Sequence, residues 1–306
     1  MKKLLVLMLG LVMVFALTAC GGDSEPAEEE GSADAGQTIG LSVSTLNNPF
    51  FVTLKEGAEA KAKELGAELI VVDAGDDAAK QTSDIEDLVS KNIAVLIVNP
   101  VDSDAVAPAV QAAMEKGIKV VAVDRMVNGV DVECSIASDN VSGAEMATEY
   151  LVEQAGEGAK CAELQGVNGA SATVDRGKGF HNIADKKLDV VASQTANFNR
   201  DEGLTVMENI LQANPDIKCV FAHNDEMALG ALEALSGKDI IVAGFDATDD
   251  AITAIKDGKM AATVAQKPDL MGGTAVENAL KLINGEEVEK SIPVEVKLVT
   301  KDNVDE

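Results

Sequence analysis

Short apolar runs alternate with amphipathic stretches along most of the chain, and this alternation constrains the fold more than any other feature. The runs at residues 95–98 (VLIV) and 120–123 (VVAV) have no polar alternation, which is typical of parallel strands covered by helices on both faces. Strands that alternate with helices predict an α/β fold with doubly wound parallel sheets. Because the strands are too many for one sheet, we predict two sheets, one in each half of the chain.

The predicted elements follow one another from residue 39 onwards. Strands are predicted at residues 39–44, 68–73, 95–99, 119–124, 160–164, 190–195, 219–223, 240–245, 261–265 and 294–299. Helices are predicted at residues 50–65, 78–91, 104–116, 142–154, 172–185, 200–213, 226–235, 249–257 and 271–283. The run around Cys134 also has the composition of a buried strand.

The first twenty residues have the order of an export signal. Two lysines precede an apolar run of about fourteen residues, which is short for a permanent membrane span. The run ends in Leu-Thr-Ala-Cys, which is similar to a bacterial lipobox. Residues 1–20 are therefore predicted to be a lipoprotein signal peptide, with Cys20 as the lipid-modified first residue of the mature chain. An ordinary cleaved signal with a chance cysteine is the alternative.

Residues 21–37 have the composition of a flexible tether. They contain several acids together with Gly, Ser and Pro, and they contain no large apolar residue. Such a segment cannot bury enough apolar surface to fold, so a disordered acidic tether is predicted. With a diacylated cysteine, the body would be held at the outer face of the cell membrane, because stable attachment needs more than one acyl chain.

The chain is strongly acidic. Its 52 Asp and Glu residues against 25 Lys and Arg residues give a net charge of -27. Nucleic-acid binding rests on Lys and Arg that neutralise phosphates, so this balance argues against nucleic acid as a partner. It also argues against direct contact with an anionic membrane surface, and we expect the lipid anchor to be the protein's contact with the membrane.

The cysteines and histidines do not form a metal-binding pattern. Cys134, Cys161 and Cys219 each lie in an apolar run, and an odd number cannot pair fully within the chain. We interpret them as small core residues. His181 and His223 have no spacing to these cysteines that suits zinc. We therefore expect no metal in the site and no other cofactor.

Polar and aromatic side chains follow the predicted strands at the points where the strands end. In open parallel sheets, ligands bind beyond the carboxyl ends of the strands. Carboxylate, amide and guanidinium groups suit the neighbouring hydroxyls of a sugar, and phenylalanine rings can pack against its C–H faces. The chain has 7 Phe, 1 Tyr and no Trp, so phenylalanines in these loops favour a binding site. The candidates are Asn47, Asn48, Phe50, Phe51, Asn99, Asp124, Arg125, Arg176, Phe198, Asn224, Asp225, Asp246 and Gln266.

Some residues in and around these loops have a structural explanation instead. Asn beside Pro and Asp after a strand are common in turns and helix caps. We assign Asn47 and Asp225 to helix capping, and Phe180 and Phe221 to packing. His223 is interpreted as a core residue because it lies within a predicted strand.

Seven segments between residues 38 and 299 carry a resemblance: STLNNPFF, NPVDSDA, VDR, IASDN, FAHNDEMALGAL, GFD and AATVAQKPD. Together they resemble the ribose-binding proteins of bacterial ABC importers, within the wider periplasmic-binding-protein family. Single motifs are shared among pentose and hexose binders, whereas NNPFF with the Asp-Arg pair is more specific to ribose. By matching motif, the resemblance implies these ligand-binding residues: Asn48, Phe50, Phe51, Asn99, Asp124, Arg125, Arg176, Phe198, Asn224, Asp246 and Gln266.

The resemblance also implies an architecture. It is the type I periplasmic binding protein fold, with two doubly wound lobes joined by a three-strand hinge and the ligand between them. The N-terminal lobe would comprise residues 38–138 and 267–294, and the C-terminal lobe residues 139–266 and 295–306. The implied partners are a monosaccharide, D-ribose by this similarity, and an ABC permease, and the protein would act as a monomer. His223 departs from the family pattern, in which a glutamine is expected.

Other functions stay open at this point. Another monosaccharide, such as a hexose, xylose or a furanose signal molecule, is the main alternative within the class. A protein that presents its ligand to a chemoreceptor would have the same fold. Asp124 and Asp246 could be imagined as a glycosidase pair, but the sequence has no nucleophile turn or phosphate-binding glycine loop. We therefore expect a binding protein and not an enzyme.

Overall fold

The computed structural model describes residues 38–305. The predicted signal peptide (residues 1–20), the lipidation site Cys20 and the predicted tether (residues 21–37) lie outside the described residues. Among the helices of residues 38–305, none combines the length and the apolar character that crossing a membrane requires.

Strands and helices alternate through the first half of the described chain. The strands are β1 (Thr38–Val43), β2 (Glu68–Asp73), β3 (Val95–Val98), β4 (Lys119–Val123) and β5 (Cys134–Ser138). The helices are α1 (Pro49–Leu65), α2 (Ala78–Ser90) and α3 (Ala107–Glu115). Helix α1 ends at Gly66, whose φ of 70° is the left-handed conformation that glycine adopts freely at a helix end.

The second half repeats this order and then adds a C-terminal segment. The strands are β6 (Lys160–Gln165), β7 (Asp189–Thr195), β8 (Cys219–Ala222), β9 (Ile241–Ala243) and β10 (Ala262–Ala265). The helices are α4 (Asn140–Ala155), α5 (Ser171–Lys187), α6 (Arg200–Ala213), α7 (Asp225–Ala234) and α8 (Asp249–Lys256). The C-terminal segment contains α9 (Pro268–Ile283), β11 (Ser291–Val294) and β12 (Lys297–Thr300).

The strands form two six-stranded sheets. The first sheet has the order β2-β1-β3-β4-β5-β11 and is parallel throughout. The second has the order β7-β6-β8-β9-β10-β12 and is parallel except for β12, which pairs antiparallel with β10. Separate apolar clusters cover both faces of each sheet, which explains why the strand sequences do not alternate. The predicted fold of two doubly wound parallel sheets is confirmed.

The chain passes between the two sheets three times. The first passage lies between β5 and α4 at Asp139, and the second between β10 and α9 at Gln266 and Lys267. The third is the short link of Glu295 and Val296 between β11 and β12. Helix α9 therefore follows the second sheet in sequence but packs against α1 and the first sheet.

The prediction of one final strand at residues 294–299 was wrong. The structure has two strands of four residues each, and they join different sheets. The alternating sequence continues across the link, so its pattern does not reveal where the chain leaves one sheet. Strand β11 contains Pro293, which cannot donate a backbone hydrogen bond and is tolerated because β11 lies at the sheet edge.

The residues that we assigned to the core are in the core. Cys134, Cys161 and Cys219 are buried and carry free thiols, as predicted. Phe180 and Phe221 are fully buried and stacked, with ring centroids 5.4 Å apart and an interplanar angle of 10°. These interpretations of the sequence are confirmed.

Two glycines allow α1 and α9 to approach closely. A Cβ atom on Gly272 would lie 2.0 Å from the backbone oxygen of Leu54, and one on Gly57 would lie 2.2 Å from the backbone oxygen of Asp269. Real Cβ atoms do not approach backbone that closely. The neighbouring Gly273 differs, because a Cβ there would be 3.7 Å from Lys61, an ordinary van der Waals distance.

Candidate functional site

Ten of the eleven predicted ligand-binding residues line one cavity between the two sheets. Those on the side of the first sheet follow β1 and β4, and those on the side of the second sheet follow strands or lie on α5. Both sets therefore lie beyond the carboxyl ends of parallel strands, where ligands of this fold class bind. The lining residues are Asn48, Phe50, Phe51, Asp124, Arg125, Ala172, Arg176, Phe198, Asn224, Asp246 and Gln266.

Ala172 and Asn99 are the two differences from the predicted set. Ala172 lines the cavity but was not predicted, since a small apolar residue at the start of a helix carries no chemical signal. Asn99 is fully buried and is not among the lining residues. Its Nδ2 donates to Asp124 Oδ2 over 3.1 Å, and its Oδ1 accepts from Ser44 N over 3.0 Å. Asn99 therefore lies behind the cavity wall and holds the carboxylate of Asp124, which lines the cavity.

Asp124 and Arg125 form the charged pair on the side of the first sheet. Asp124 has a left-handed φ of 65°, and its backbone N–H donates to Ile136 O over 2.7 Å. Arg125 Nη1 donates to Pro100 O over 2.8 Å, and Arg125 Nε lies 3.6 Å from Asp124 Oδ2. Burial raises the pKa of Asp124, and the guanidinium groups of Arg125 and Arg176 oppose this effect.

Arg176 and Asp246 form a second charged pair on the side of the second sheet. Arg176 Nε donates to Asn140 Oδ1 over 2.8 Å, and Nη1 donates to His223 O over 2.5 Å. Arg176 Nη1 also lies 3.8 Å from Asp246 Oδ1, which accepts from Gln266 Nε2 over 2.6 Å. Burial raises the pKa of Asp246, whereas Arg176 lowers it. Burial also lowers the pKa of Arg176, and the surrounding carboxylates oppose that change.

Aromatic rings surround the two guanidinium groups. The Cζ of Arg125 lies 5.1 Å from the ring centroid of Phe51 and 5.3 Å from that of Phe198. The Cζ of Arg176 lies 3.8 Å from the ring centroid of Phe245. Such contacts stabilise a cation by the ring quadrupole. Since Phe51 and Phe198 come from opposite sides of the cavity, Arg125 connects the two sides.

Both asparagines of the cavity lining are helix caps. Asn48 Oδ1 accepts from Phe50 N over 2.9 Å at the start of α1, and Asn224 Oδ1 accepts from Met227 N over 3.0 Å at the start of α7. The assignment of capping to Asn47 and Asp225 was therefore wrong. Pro49 at the first helical position makes Asn48 the cap of α1, and α7 begins one residue earlier than predicted. Capping fixes the orientation of both amides before any ligand arrives.

The two sides of the cavity also touch each other at its rim. Ser103 lies between β3 and α3, and its backbone N–H donates to Gly169 O over 3.0 Å. Ser171, at the start of α5, donates its backbone N–H to Ser103 Oγ over 3.2 Å. The hydroxyl oxygen of Ser171 accepts from Met126 N over 2.9 Å. These hydrogen bonds connect the two sides of the cavity directly.

Both histidines of the described chain contact one buried carboxylate behind the cavity. His223 Nε2 lies 2.9 Å from Glu163 Oε1, and His181 Nε2 lies 3.4 Å from Glu163 Oε2. His223 is fully buried, as predicted for a core residue, and burial lowers its pKa in spite of Glu163. Burial also lowers the pKa of His181, but Asp185 and Glu163 outweigh this effect and the pKa is raised.

We expect the two histidines to affect stability with opposite pH dependence. A raised pKa in the folded state stabilises the fold below the unfolded value of about 6.5, and this contribution is lost as the pH rises through the folded pKa. His181→Gln should therefore lower the free energy of unfolding at acidic pH. The expected loss is only about 0.5–1 kcal/mol, because solvent screens this half-exposed group. At alkaline pH the same variant should match the wild type.

His223→Gln should change the stability with the opposite pH dependence. The buried imidazole stays neutral in the fold, so wild-type stability falls as the pH drops below about 6.5, and the variant lacks this fall. Urea unfolding at about pH 5.5 and about pH 8.5 measures both effects. Equal pH dependence in the two variants would contradict the assignment of the shifts.

The chain matches a known family over most of its length. The family model described as "Periplasmic binding protein domain" matches residues 39–287. A ribose import binding protein, RbsB, of Bacillus subtilis (strain 168) is 54% identical over 306 residues, covering 98% of this chain and 99% of that protein. The ribose import binding protein RbsB of Escherichia coli (strain K12) is 50% identical and covers 90% of this chain and 94% of its own.

Solved structures of sugar-binding and polyol-binding proteins share the fold. An ABC transporter solute binding protein from Bacillus halodurans C-125 with bound myo-inositol has a TM-score of 0.84 at 35% identity, covering 90% of this chain and 98% of that chain. One from Actinobacillus succinogenes 130z with bound D-allose has a TM-score of 0.81 at 33% identity, covering 88% and 99%. The chain therefore belongs to the periplasmic binding protein family and has its type I fold.

Proposed function

We propose that this chain is the substrate-binding protein of an ABC sugar importer, that it binds D-ribose between two lobes, and that it delivers the sugar to a membrane permease. The observation that carries the proposal is the convergence of two Asp-Arg pairs, three amides and three phenylalanines on one cavity. The names of the relatives that are 47–54% identical support ribose as the sugar. The role is that of a binding protein and not of an enzyme.

The proposed lobes each contribute half of the site. The N-terminal lobe comprises residues 38–138 and 267–294, and the C-terminal lobe comprises residues 139–266 and 295–306. Each proposed lobe contains one sheet, and the three passages of the chain between the sheets form the hinge. Ten of the eleven predicted residues are the proposed ligand contacts, and the eleventh, Asn99, acts through its hydrogen bond to Asp124.

The polar groups of the cavity suit sugar hydroxyls, which each donate and accept a hydrogen bond. Asp124 and Asp246 accept from hydroxyls, while Arg125 and Arg176 donate to hydroxyl or ring oxygens and balance the acids. Two buried atoms at the cavity, Arg125 Nε and Gln266 Oε1, have no hydrogen-bond partner within the described residues. One needs an acceptor and the other a donor, and a hydroxyl group provides either.

Because the site is divided between two lobes, the lobes are expected to close around the sugar. When the lobes are apart, each exposes half of the polar set, so only the closed form satisfies all hydroxyls of the sugar. The sugar therefore shifts the population towards the closed form by its additional affinity for that form. The closed surface then docks on the permease.

The proposed location is outside the cytoplasm, on the outer face of the cell membrane. Residues 1–20 act as the signal peptide, Cys20 carries the fatty acyl chains, residues 21–37 form the tether, and the protein is a monomer. Partitioning of the wild-type protein, but not of Cys20→Ser, into detergent checks the anchor, and light scattering at the monomer mass checks the oligomeric state.

A thermal-shift screen against pentoses and hexoses, followed by calorimetry, tests the ligand. We expect ribose to give the largest rise in Tm, because a ligand that binds only the folded state stabilises it by mass action. Asp246→Ala should lose the shift, and Asp87→Ala, at an exposed position of α2, should retain it. A screen in which no pentose raises the Tm would contradict the proposal for ribose, and a larger rise with myo-inositol or a hexose would reassign the ligand.

A further inference from the structure

The turn after β9 forms part of the cavity wall and has a strained backbone. Asp246 and Ala247 have φ angles of 125° and 57°. L residues rarely adopt these angles, and such conformations persist only where the surrounding structure holds them. Asp246 lines the cavity. The geometry of the turn therefore decides where the carboxylate of Asp246 points.

Three hydrogen bonds hold the three consecutive N–H groups of this turn. Asp246 N donates to Val264 O over 2.8 Å, a backbone contact with β10. Ala247 N donates to Thr263 Oγ1 over 3.2 Å, and Thr248 N donates to Asp225 Oδ2 over 2.8 Å. Two of the three anchors are thus side chains, and they can be changed by mutation.

The two side-chain anchors are joined to each other. Thr263 Oγ1 donates to Asp225 Oδ1 over 2.6 Å, so the same hydroxyl accepts from the turn and donates to the carboxylate. Thr248 Oγ1 donates to Asp225 Oδ2 over 3.2 Å. Burial raises the pKa of Asp225 to about 7, and the hydrogen bonds from Thr263 and Thr248 oppose this effect.

Asp225 is fully buried and lies beneath the turn, outside the cavity lining. Its space is provided by Gly244, where a Cβ atom would lie 2.4 Å from Asp225 Oδ1. The preceding residue, Asn224, lines the cavity and caps α7. Of these two adjacent residues, Asn224 lines the cavity and Asp225 hydrogen-bonds the turn.

We propose that Asp225, with Thr263, is a positioning residue for ligand binding: it fixes the turn 246–248 so that the Asp246 carboxylate meets the ligand between Arg176 and Gln266. This inference rests on the proposed function, because it takes Asp246 as a contact to the sugar. Asp225 itself does not touch the ligand. Its effect on affinity passes through Asp246.

Asp225→Asn and Thr263→Val test the proposal by calorimetry with ribose. An amide nitrogen cannot accept the hydrogen bonds that Asp225 accepts, and valine lacks the hydroxyl of threonine at nearly the same shape. We expect each variant to bind ribose about tenfold more weakly or worse. Thr148→Val is the matched control, because Thr148 is also fully buried but bonds only within α4, to Ala144 O. It should bind ribose like the wild type.

A double-mutant cycle separates positioning from general destabilisation. In the background of Asp246→Ala, adding Asp225→Asn should change the remaining affinity by less than about twofold, because residues that act through one another are not additive. Fully additive losses would overturn the inference and leave the proposed function intact. If Asp225→Asn does not fold, the cycle with Thr263→Val decides in the same way.

The same measurements distinguish failure of the proposed function from failure of the inference about Asp225. A wild-type protein that binds no ribose, or an Asp246→Ala variant with wild-type affinity, overturns the proposed site and the inference with it. Wild-type affinity in both Asp225→Asn and Thr263→Val, together with a large loss in Asp246→Ala, overturns the inference alone.

Discussion

Asp124→Ala is expected to weaken ribose binding by about 2–5 kcal/mol, which is the range for removing one member of a buried, hydrogen-bonded charge pair. The variant leaves the buried guanidinium of Arg125 without its neighbouring carboxylate, and Asn99 Nδ2 loses the closer of its two acceptors, at 3.1 Å. Calorimetry of the folded variant measures the loss. An affinity close to that of the wild type would remove Asp124 from the site.

Two further variants isolate the role of the charge. The left-handed backbone of Asp124 is unfavourable for alanine but tolerated by asparagine, so Asp124→Asn removes the charge without adding strain. We expect Asp124→Asn to weaken ribose binding nearly as much as Asp124→Ala does. Asp104→Ala changes an exposed aspartate that contacts Asn128, and it should not alter ribose affinity.

Gly272→Ala is expected to destabilise the fold by about 1–3 kcal/mol or more, the range for forcing extra volume into a packed site. The new Cβ would lie 2.0 Å from the Leu54 backbone oxygen, so α1 and α9 must move apart. Urea unfolding followed by circular dichroism measures the change in midpoint.

The adjacent glycine provides the matched control. In Gly273→Ala the new Cβ meets Lys61 at 3.7 Å, and alanine is favoured over glycine inside a helix by about 0.5–1 kcal/mol. This variant should therefore be slightly stabilised. Equal destabilisation by both substitutions would show that the close approach of α1 and α9 is not the cause.

The architecture was predictable because both faces of each sheet are covered. Complete coverage produces unbroken apolar strands such as Val95–Val98, which are distinct from the amphipathic helices between them. The division of the final segment was not predictable. Residues 294–299 alternate like one strand, and only pairing with two different sheets separates Val294 from Lys297.

The candidate site was predictable at the level of residue type but not of geometry. Polar residues after strands and the motif resemblance identified ten of the lining residues. The sequence does not reveal that Asn48 and Asn224 also cap helices, since two neighbouring residues in each motif have side chains able to cap. The anchoring role of Asp225 depends on Thr248 and Thr263, which are distant in sequence and approach it only in the folded chain.

The late position of α9 and β11 in the chain has a consequence for biosynthesis. Met271, Ala275 and Val276 of α9 belong to the apolar cluster of the first sheet, although more than a hundred residues of the second sheet's layer are made in between. A nascent chain still attached to the ribosome must therefore keep part of that apolar surface uncovered. Domains generally fold as units once their sequence is complete, so neither half of this molecule can finish folding until the segment from α9 to β12 has been made.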